Sequence, residues 1–407
     1  MTQYSILALS AVRTPMGSFG GTLKDMASYD IGAVAVREAV KRAGLEPGQI
    51  DDVILGSCRQ AGNGPNPART AAVRGGIPAT VPVITLNMAC PSGMRAVAFA
   101  AQEIQTGVAE VVLVGGFDSM STIPYLLKGA RWQGFKMGDK KLEDGWSDSI
   151  DPLIGQGMGA TAENLYDKWK IPREEQDEFA AQSHLKAHTA WEKGWFNEEV
   201  VAVELPATKG EREKGRKGES GEAPALFQRD ETIRFPVDKE KLGKLPAVFR
   251  KDGTVTAGNA CGMADGACAL VITSREKAQE LGRTPLFSIV GYAQTAIDPS
   301  VMGEGPGIVI PMALKNAGMT LAEMDLIEVN EAFAIQVLVN ERMLSWDRSK
   351  VNIHGGAIAL GHPTGISGAR ILVTLFHALK THDKEFGVAA ICGGGGVTTA
   401  MVIKREG

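Results

Sequence analysis

A weak internal repeat constrains this chain more than any single motif does. Ala39 to Val53 (AVKRAGLEPGQIDDV) matches Ala313 to Ile327 (ALKNAGMTLAEMDLI), with Ala, Lys, Ala, Gly and Asp recurring at an offset of 274. Ala89-Cys90-Pro91-Ser92-Gly93 then matches Gly361-His362-Pro363-Thr364-Gly365, and Val111 to Gly116 (VVLVGG) matches Val388 to Gly394 (VAAICGG). The offsets stay between 272 and 278. Any one match arises easily by chance; three in the same order point to duplication. Each copy reads as a helix, a Gly stop, a polar turn, and a strand that begins near an Asp. A further turn, helix and strand follow, so two related α/β halves with central sheets and buried helices are expected.

The helix spacing supports this. Ser92 to Gln105 places Met94, Val97, Ala98, Ala101 and Ile104 on one face, and Gly107 stops it. Ser367 to Lys380 carries Ile371, Leu372, Leu375, Phe376 and Leu379. The middle of the chain differs: Ser121 to Arg250 is charged and holds five of the six Trp. It reads as an insertion in the first half, which resumes at Thr254 to Ser274 with a strand pattern at its end. Residues 1–120 with 251–277 then form the first half, 121–250 a covering loop domain, and 278–407 the second half. Within the insertion, Thr208 to Gly221 (TKGEREKGRKGESG) is a polar, mixed-charge loop.

Composition removes several classes. With 44% apolar and 22% charged residues the chain is ordinary globular material. A net charge of −4 argues against coating nucleic acid. Five scattered cysteines (58, 90, 261, 268, 392) make no disulfide framework, and without a CxxC pair they make no structural zinc site. Free thiols suggest a reducing, cytoplasmic setting. MTQYSILALSAVRTP lacks the form of a secretory signal. The charge-free stretches Gly75 to Met94 and Gly387 to Ile403 are broken by turn residues and read as buried strands, with no membrane insertion.

Cys90 follows an apolar run and precedes Pro91-Ser92-Gly93 and a helix. The thiol therefore sits at a helix N-terminus, where free N–H groups and the dipole favour an anion. An ordinary Cys has a pKa of ~8.5, and about 2 kcal/mol from the dipole and an imidazole lowers it by ~1.5 units. The alternative is a buried core cysteine. His362 occupies the equivalent point of the second half, within GGAIALGHPTGISGAR. An approximate twofold between the halves lets the two helix N-termini face each other, so that Cys90 and His362 meet as a nucleophile and its base. Cys392 ends a strand in ICGGGGV, where glycine N–H groups beside a thiol can hold an oxyanion. Only ten residues follow Val397, too few for the helix and second strand of a dinucleotide loop. Asn330 follows the strand LIEV and is either a helix N-cap or an amide that orients water or an oxyanion. His184 and His188 share a helical face; lacking a third ligand, a solvent-facing helix is favoured over a metal.

Taken together, AVRTPMGSFGG, NMACPSGMRAV, MGATAENL, GTVTAGNACGMADGA, NEAFA, GGAIALGHPTGISGAR and CGGGG resemble the thiolase family, in family order and across nearly the whole chain. The resemblance implies a thiolase-like fold of duplicated αβαβα halves with an inserted loop domain, and a homodimer, often paired into a tetramer. It implies reversible Claisen chemistry on acyl-CoA and CoA, with no metal or redox cofactor. Cys90 would take the acyl group, His362 activate it, and Cys392 move the α-proton of acetyl-CoA. His362 and a water on Asn330 would form one oxyanion hole, and the backbone N–H groups of Cys90 and Gly394 the other. Met158, Ala257, Cys261 and Phe333 would contact substrate or CoA.

Three departures stand out. Pro91 replaces a small residue, Cys261 a common Ser, and Gly157 a His of short-chain members, which leaves room for longer acyl groups. Rival readings are a β-ketoacyl synthase-like condensing enzyme, which lacks the second thiol, and a non-catalytic acyl-CoA-binding protein. A nucleotide-binding dehydrogenase is a further class, for which no response to NAD is expected.

Overall fold

The computed structural model describes residues 5–146, 150–206 and 225–407; the Thr208 to Gly221 loop lies outside them. The repeat takes the same local form twice. Helix α1 (Ser28–Ala43) stops at Gly44, and helix α6 (Gly305–Ala317) at Gly318, both with left-handed φ near 67–68°. That conformation is open to glycine and costly for other residues, so the helix ends where the Gly stands. A 3-10 turn follows in each copy, Pro47–Gln49 or Leu321–Glu323. The carboxylate of Asp51 then accepts from the N–H groups of Glu110 and Val111. Asp325 accepts in the same way from Glu385 and Phe386. The Asp shared by both copies therefore fastens the neighbouring strand.

The first half contributes β1 (Ile6–Arg13), β2 (Asp52–Gly56), β3 (Val83–Leu86), β4 (Val111–Ser119) and β5 (Ala264–Ser274). The second contributes β6 (Phe287–Ala296), β7 (Leu326–Val329), β8 (Phe386–Cys392) and β9 (Val397–Arg405). Their order is β7-β8-β9-β6-β1-β5-β4-β2-β3, and Gly17–Ser18 pairs additionally with β5. The halves mirror each other about the β1–β6 junction, which consists of two residue pairs, Leu7↔Ser288 and Ala8↔Phe287. Pairing is parallel at β7/β8, β2/β4 and β2/β3, and antiparallel elsewhere along the series. β3 has no counterpart strand in the second half and forms an edge.

Alternating side chains divide the strands between cores. Cys268, Leu270 and Ile272 of β5 point into a central core with α3 (Ser92–Thr106) and α8 (Ser367–Thr381). Ala267, Ala269 and Val271 point to an outer core under α1 and α2 (Pro67–Arg74). On the other half, Val388, Ala390 and Cys392 face a second outer core with α6 and α7 (Ala334–Leu344). The layers are thus helix, sheet, helix, sheet, helix. Every residue of α8 from Ser367 to Leu379 is buried, as a helix enclosed on all sides must be.

α3 and α8 cross closely at their first turns. A Cβ on Gly93 would lie 2.8 Å from Ala369 N, and one on Gly368 would lie 2.7 Å from Met94 N. Only glycine permits that approach, and it draws the two turns preceding these helices together. The described residues of 120–263 lie outside the sheet, between β4 and β5, and include α4 (Met158–Trp169) and α5 (Arg173–Glu192). Among the described residues no helix is long and apolar enough to cross a membrane.

Candidate active site

The turn between β3 and α3 is an elbow. Ala89 adopts φ 53°, a left-handed conformation that a non-glycine residue holds only at a cost. Ser92 secures it: Ser92 Oγ donates to Ala89 O at 2.6 Å and accepts from Met88 N at 2.8 Å. The Cys58 thiol donates to the same carbonyl at 3.1 Å. Cys90, the next residue, is thereby turned out of the chain. In the second half Gly361 has φ 89° and the following residue is His362. The histidine does not stand at the helix N-terminus, as the repeat had suggested. α8 begins only at Ser367, because Thr364 Oγ1 and Gly365 N are drawn onto the Asp118 carboxylate at 3.1 and 2.6 Å.

Cys90 and His362 meet: His362 Nε2 lies 3.3 Å from Cys90 Sγ. The tautomer follows from the hydrogen bonds. Ser367 Oγ lies 3.0 Å from Pro363 O, which can only accept, so the hydroxyl proton goes there. Ser367 Oγ must then accept from His362 Nδ1, 2.6 Å away. With its proton on Nδ1, the ring turns the Nε2 lone pair to the thiol, which is the arrangement of a general base.

The electrostatics depart from the sequence-based expectation of a lowered thiol. Burial pushes Cys90 up to about 11; the charge of Arg59 and the backbone N–H groups of Gly394 and Cys90 act against this and lose. Burial, then the charges of Arg370 and Arg59, push His362 down to about 3. A helix terminus supplies at most ~2 kcal/mol, less than desolvation costs at a sulfur largely withdrawn from water. The resting pair is a neutral thiol on a neutral imidazole.

Cys392 ends β8, 1% exposed. Burial, then the nearby Cys90, push it up to about 12. The glycines after it pack on the elbow: a Cβ on Gly393 would meet Cys90 N at 3.2 Å and Pro91 Cδ at 2.5 Å. Asp151 holds this turn by accepting from Gly395 N at 2.9 Å. Met158 lies over it, its sulfur 3.3 Å from the position of a Cβ on Gly394.

Asn330 is not a helix cap, since α7 begins at Ala334 after Phe333. Its backbone continues the β7–β8 ladder to Ala390 O, 3.0 Å away, and its side chain turns to Arg370 of α8. Cys261 bonds through its N–H to Ala332 O, and burial followed by Cys90 raises its thiol. Phe333 bridges Ala260 and meets Phe249 edge-on, ring centres 6.2 Å apart. Ala257 is exposed, in the Thr256–Asn259 turn. His184 is buried rather than solvent-facing, its Nδ1 accepting from Arg234 N, and His188 stacks on Phe235. Among the described residues no group of three or more His, Cys, Asp or Glu is placed to hold a metal.

Sequence reasoning missed Asp118, whose buried carboxylate gathers Ser57, Cys58, Arg59, Thr364 and Gly365 from both halves. It missed Arg59, which stacks on Trp146 at 4.5 Å. Ser367 carried a signal, the first helical residue of GISGAR, but nothing local tied it to the imidazole.

Comparison with known proteins places the chain. Residues 6–276 match the thiolase N-terminal domain and residues 283–405 the thiolase C-terminal domain. An acetyl-CoA acetyltransferase of Cupriavidus necator is 45% identical, covering 98% of this chain and 99% of its own. A probable acetyl-CoA acyltransferase of Staphylococcus aureus is 44% identical over the same shares. Human mitochondrial 3-ketoacyl-CoA thiolase superposes with a TM-score of 0.93 at 42% identity over the full length of both chains. Both family models together cover nearly the whole chain and full-length relatives exceed 40% identity, so this chain belongs to the thiolase family.

Proposed function

We propose that the protein is a thiolase that condenses two acyl-CoA thioesters, or cleaves a 3-ketoacyl-CoA with CoA, through an acyl-Cys90 intermediate. The observation that carries this reading is the 3.3 Å contact between Cys90 Sγ and His362 Nε2, with the second thiol and the glycine turn against the same elbow. His362 takes the thiol proton as Cys90 attacks the thioester carbonyl, then delivers it to the departing CoA sulfur. The developing oxyanion meets the N–H groups of Cys90 and Gly394, each such donor contributing ~3–4 kcal/mol. Cys392 next removes the α-proton of the incoming acetyl-CoA. Acylation turns Cys90 into a thioester that cannot ionise, so the Cys392 thiolate has no second thiolate beside it. The enolate oxygen meets His362 and a water on Asn330; the new C–C bond forms at the acyl carbon as its bond to Cys90 Sγ breaks, and the released Cys90 thiolate recovers the proton that the Cys392 thiolate took. CoA enters as substrate; the chemistry calls for no metal or redox cofactor.

Met158, Phe333, Cys261 and Ala257 are assigned to the acyl and pantetheine path. Gly157, with no side chain at the mouth, suits acyl groups longer than acetyl. The half-exposed edge strand β3, with Ile84 52% exposed, supports pairing with a second copy in a homodimer or homotetramer. Five free thiols support a cytoplasmic setting.

The test separates the two thiols. Cys90→Ser is expected to abolish acyl-enzyme on incubation with acetoacetyl-CoA. Cys392→Ser is expected to acylate at Cys90 and to lose α-proton exchange from acetyl-CoA. Equal acylation of both variants contradicts the roles. Thiolysis rates along a 3-ketoacyl-CoA series set the chain length: a steep fall beyond four carbons marks an acetyl-CoA acetyltransferase, a flat profile a degradative thiolase.

A further inference from the structure

Asn330 is fully buried, and among the described residues its Nδ2 meets no hydrogen-bond partner. Its Oδ1 is engaged: Arg370 Nη2 donates to it at 3.5 Å. A guanidinium has donors only, so the amide oxygen must face it and the NH2 must face away. The orientation of an Asn side chain is otherwise ambiguous, because its two ends differ little in shape. Here the neighbour decides it. Arg370 is itself enclosed, 1% exposed, at the fourth residue of α8. Its nearest carboxylate is Glu328 at 3.8 Å, a loose ion pair rather than a bidentate one. A buried guanidinium held so loosely contributes little to stability, since desolvation consumes most of the attraction.

We infer that Arg370 is a positioning residue for the condensation step: it fixes the Asn330 carboxamide with the NH2 directed at the oxyanion water, and has no part in acylating Cys90. This rests on the thiolase reading of Asn330. The two oxyanion sites of that reading separate the half-reactions. The backbone donors of Cys90 and Gly394 serve acyl transfer, and the Asn330 side serves the enolate. Without Arg370 the amide can rotate and present its oxygen to that water, which then donates a proton to the amide instead of being held by an N–H and aimed at the enolate.

The experiment uses the full chain and two readouts. Acetylation of Cys90 by acetyl-CoA is followed by mass spectrometry, and deuterium uptake into the methyl of acetyl-CoA by NMR. Arg370→Met is combined with Glu328→Gln, so that no carboxylate loses its cation, and is compared with Glu328→Gln alone. The expected result is acetylation within threefold of that reference and α-proton exchange reduced at least thirtyfold. Arg370→Lys, which keeps a donor, should recover part of the exchange. In the Asn330→Ala background the Arg370 substitution should cost less than threefold more, because there is no amide left to orient. Equal loss of both readouts, or an equal further loss in the Asn330→Ala background, overturns the proposal. Should the Met variant not fold, Arg370→Lys decides: acetylation and exchange falling in parallel overturn it. Wild-type protein that neither acetylates nor exchanges instead overturns the thiolase reading itself.

Discussion

Placing a single methyl at Gly368 tests whether the helix crossing sets the catalytic distance. The Cβ of Gly368→Ala would lie 2.7 Å from Met94 N, 3.0 Å from Met94 Cβ and 3.1 Å from Pro91 O. All three atoms belong to the first turn of α3 and its approach, so no flexible side-chain tip can give way. Restoring ordinary contact near 3.4 Å requires the backbone to recede by about 0.7 Å. Overpacking of this kind costs ~1–3 kcal/mol. The same shift acts on Cys90, which is bonded to Pro91 and lies 3.3 Å from His362 Nε2. A misplacement of about 1 Å in a reacting pair costs up to ~100-fold, so acylation is expected to fall ~10–100-fold. Gly107→Ala is the control. Gly107 caps the far end of α3 at φ 73°, and a Cβ there meets nothing within 4 Å. It should cost ~1 kcal/mol through the backbone alone. Urea midpoints give the stabilities and the Cys90 acetylation burst gives the chemistry. If Gly368→Ala is destabilised by ~1 kcal/mol or more and yet acetylates within twofold of wild type, the crossing does not position the pair and the argument fails.

Two further outcomes follow from the electrostatics. With Cys90 pushed up to about 11, chiefly by burial, its alkylation by iodoacetamide should rise roughly tenfold per pH unit from 6 to 9. A plateau with a midpoint near 7 would falsify the neutral-pair assignment. His354 packs against Trp195, faces His382 Nε2 at 3.0 Å, and is pushed down to about 4, chiefly by burial. The unfolded chain takes up that proton near 6.5, well before the folded one, so stability is lost as pH falls from 6.5 towards 4. His354→Phe lacks the penalty, and its urea midpoint should drop less than that of wild type between pH 7 and 5; parallel declines count against the assignment.

What could be read in the sequence was what short-range physics dictates. Gly44 and Gly318 end helices because of their own φ, and Asp51 and Asp325 act on strands at equal positions in the two copies. The helix limits at Ser92 and Ser367 follow from apolar spacing and flanking turns. The encounter of Cys90 with His362 was legible only through the repeat, which supplied the symmetry that spacing along the chain cannot. Asp118 was illegible because its five partners come from the turn after β2 and the loop before α8, with no local pattern at Asp118 itself. The sign of the Cys90 shift was misjudged for a related reason. A helix terminus is visible in sequence, whereas the degree of burial depends on how His362 and the glycine turn after β8 pack against the elbow.

Duplication alone would give two identical elbows, and identical elbows could not do this chemistry. The difference lies in how each meets its helix. In the first half Ser92 follows Cys90 by two residues, and its hydroxyl folds back onto the elbow carbonyl of Ala89. In the second half Ser367 follows His362 by five, and its hydroxyl reaches the imidazole instead. The longer spacing is taken up by Thr364 and Gly365 on Asp118, at the ends of β2 and β4 in the other half. One serine therefore stabilises the strained backbone that presents the thiol, while its counterpart fixes the tautomer of the base that faces it. Because the second arrangement requires a carboxylate from the first half, neither half can assemble the pair by itself. The catalytic geometry is a property of the seam between the copies, and substitutions at that seam should affect chemistry more than equally destabilising ones in the outer layers.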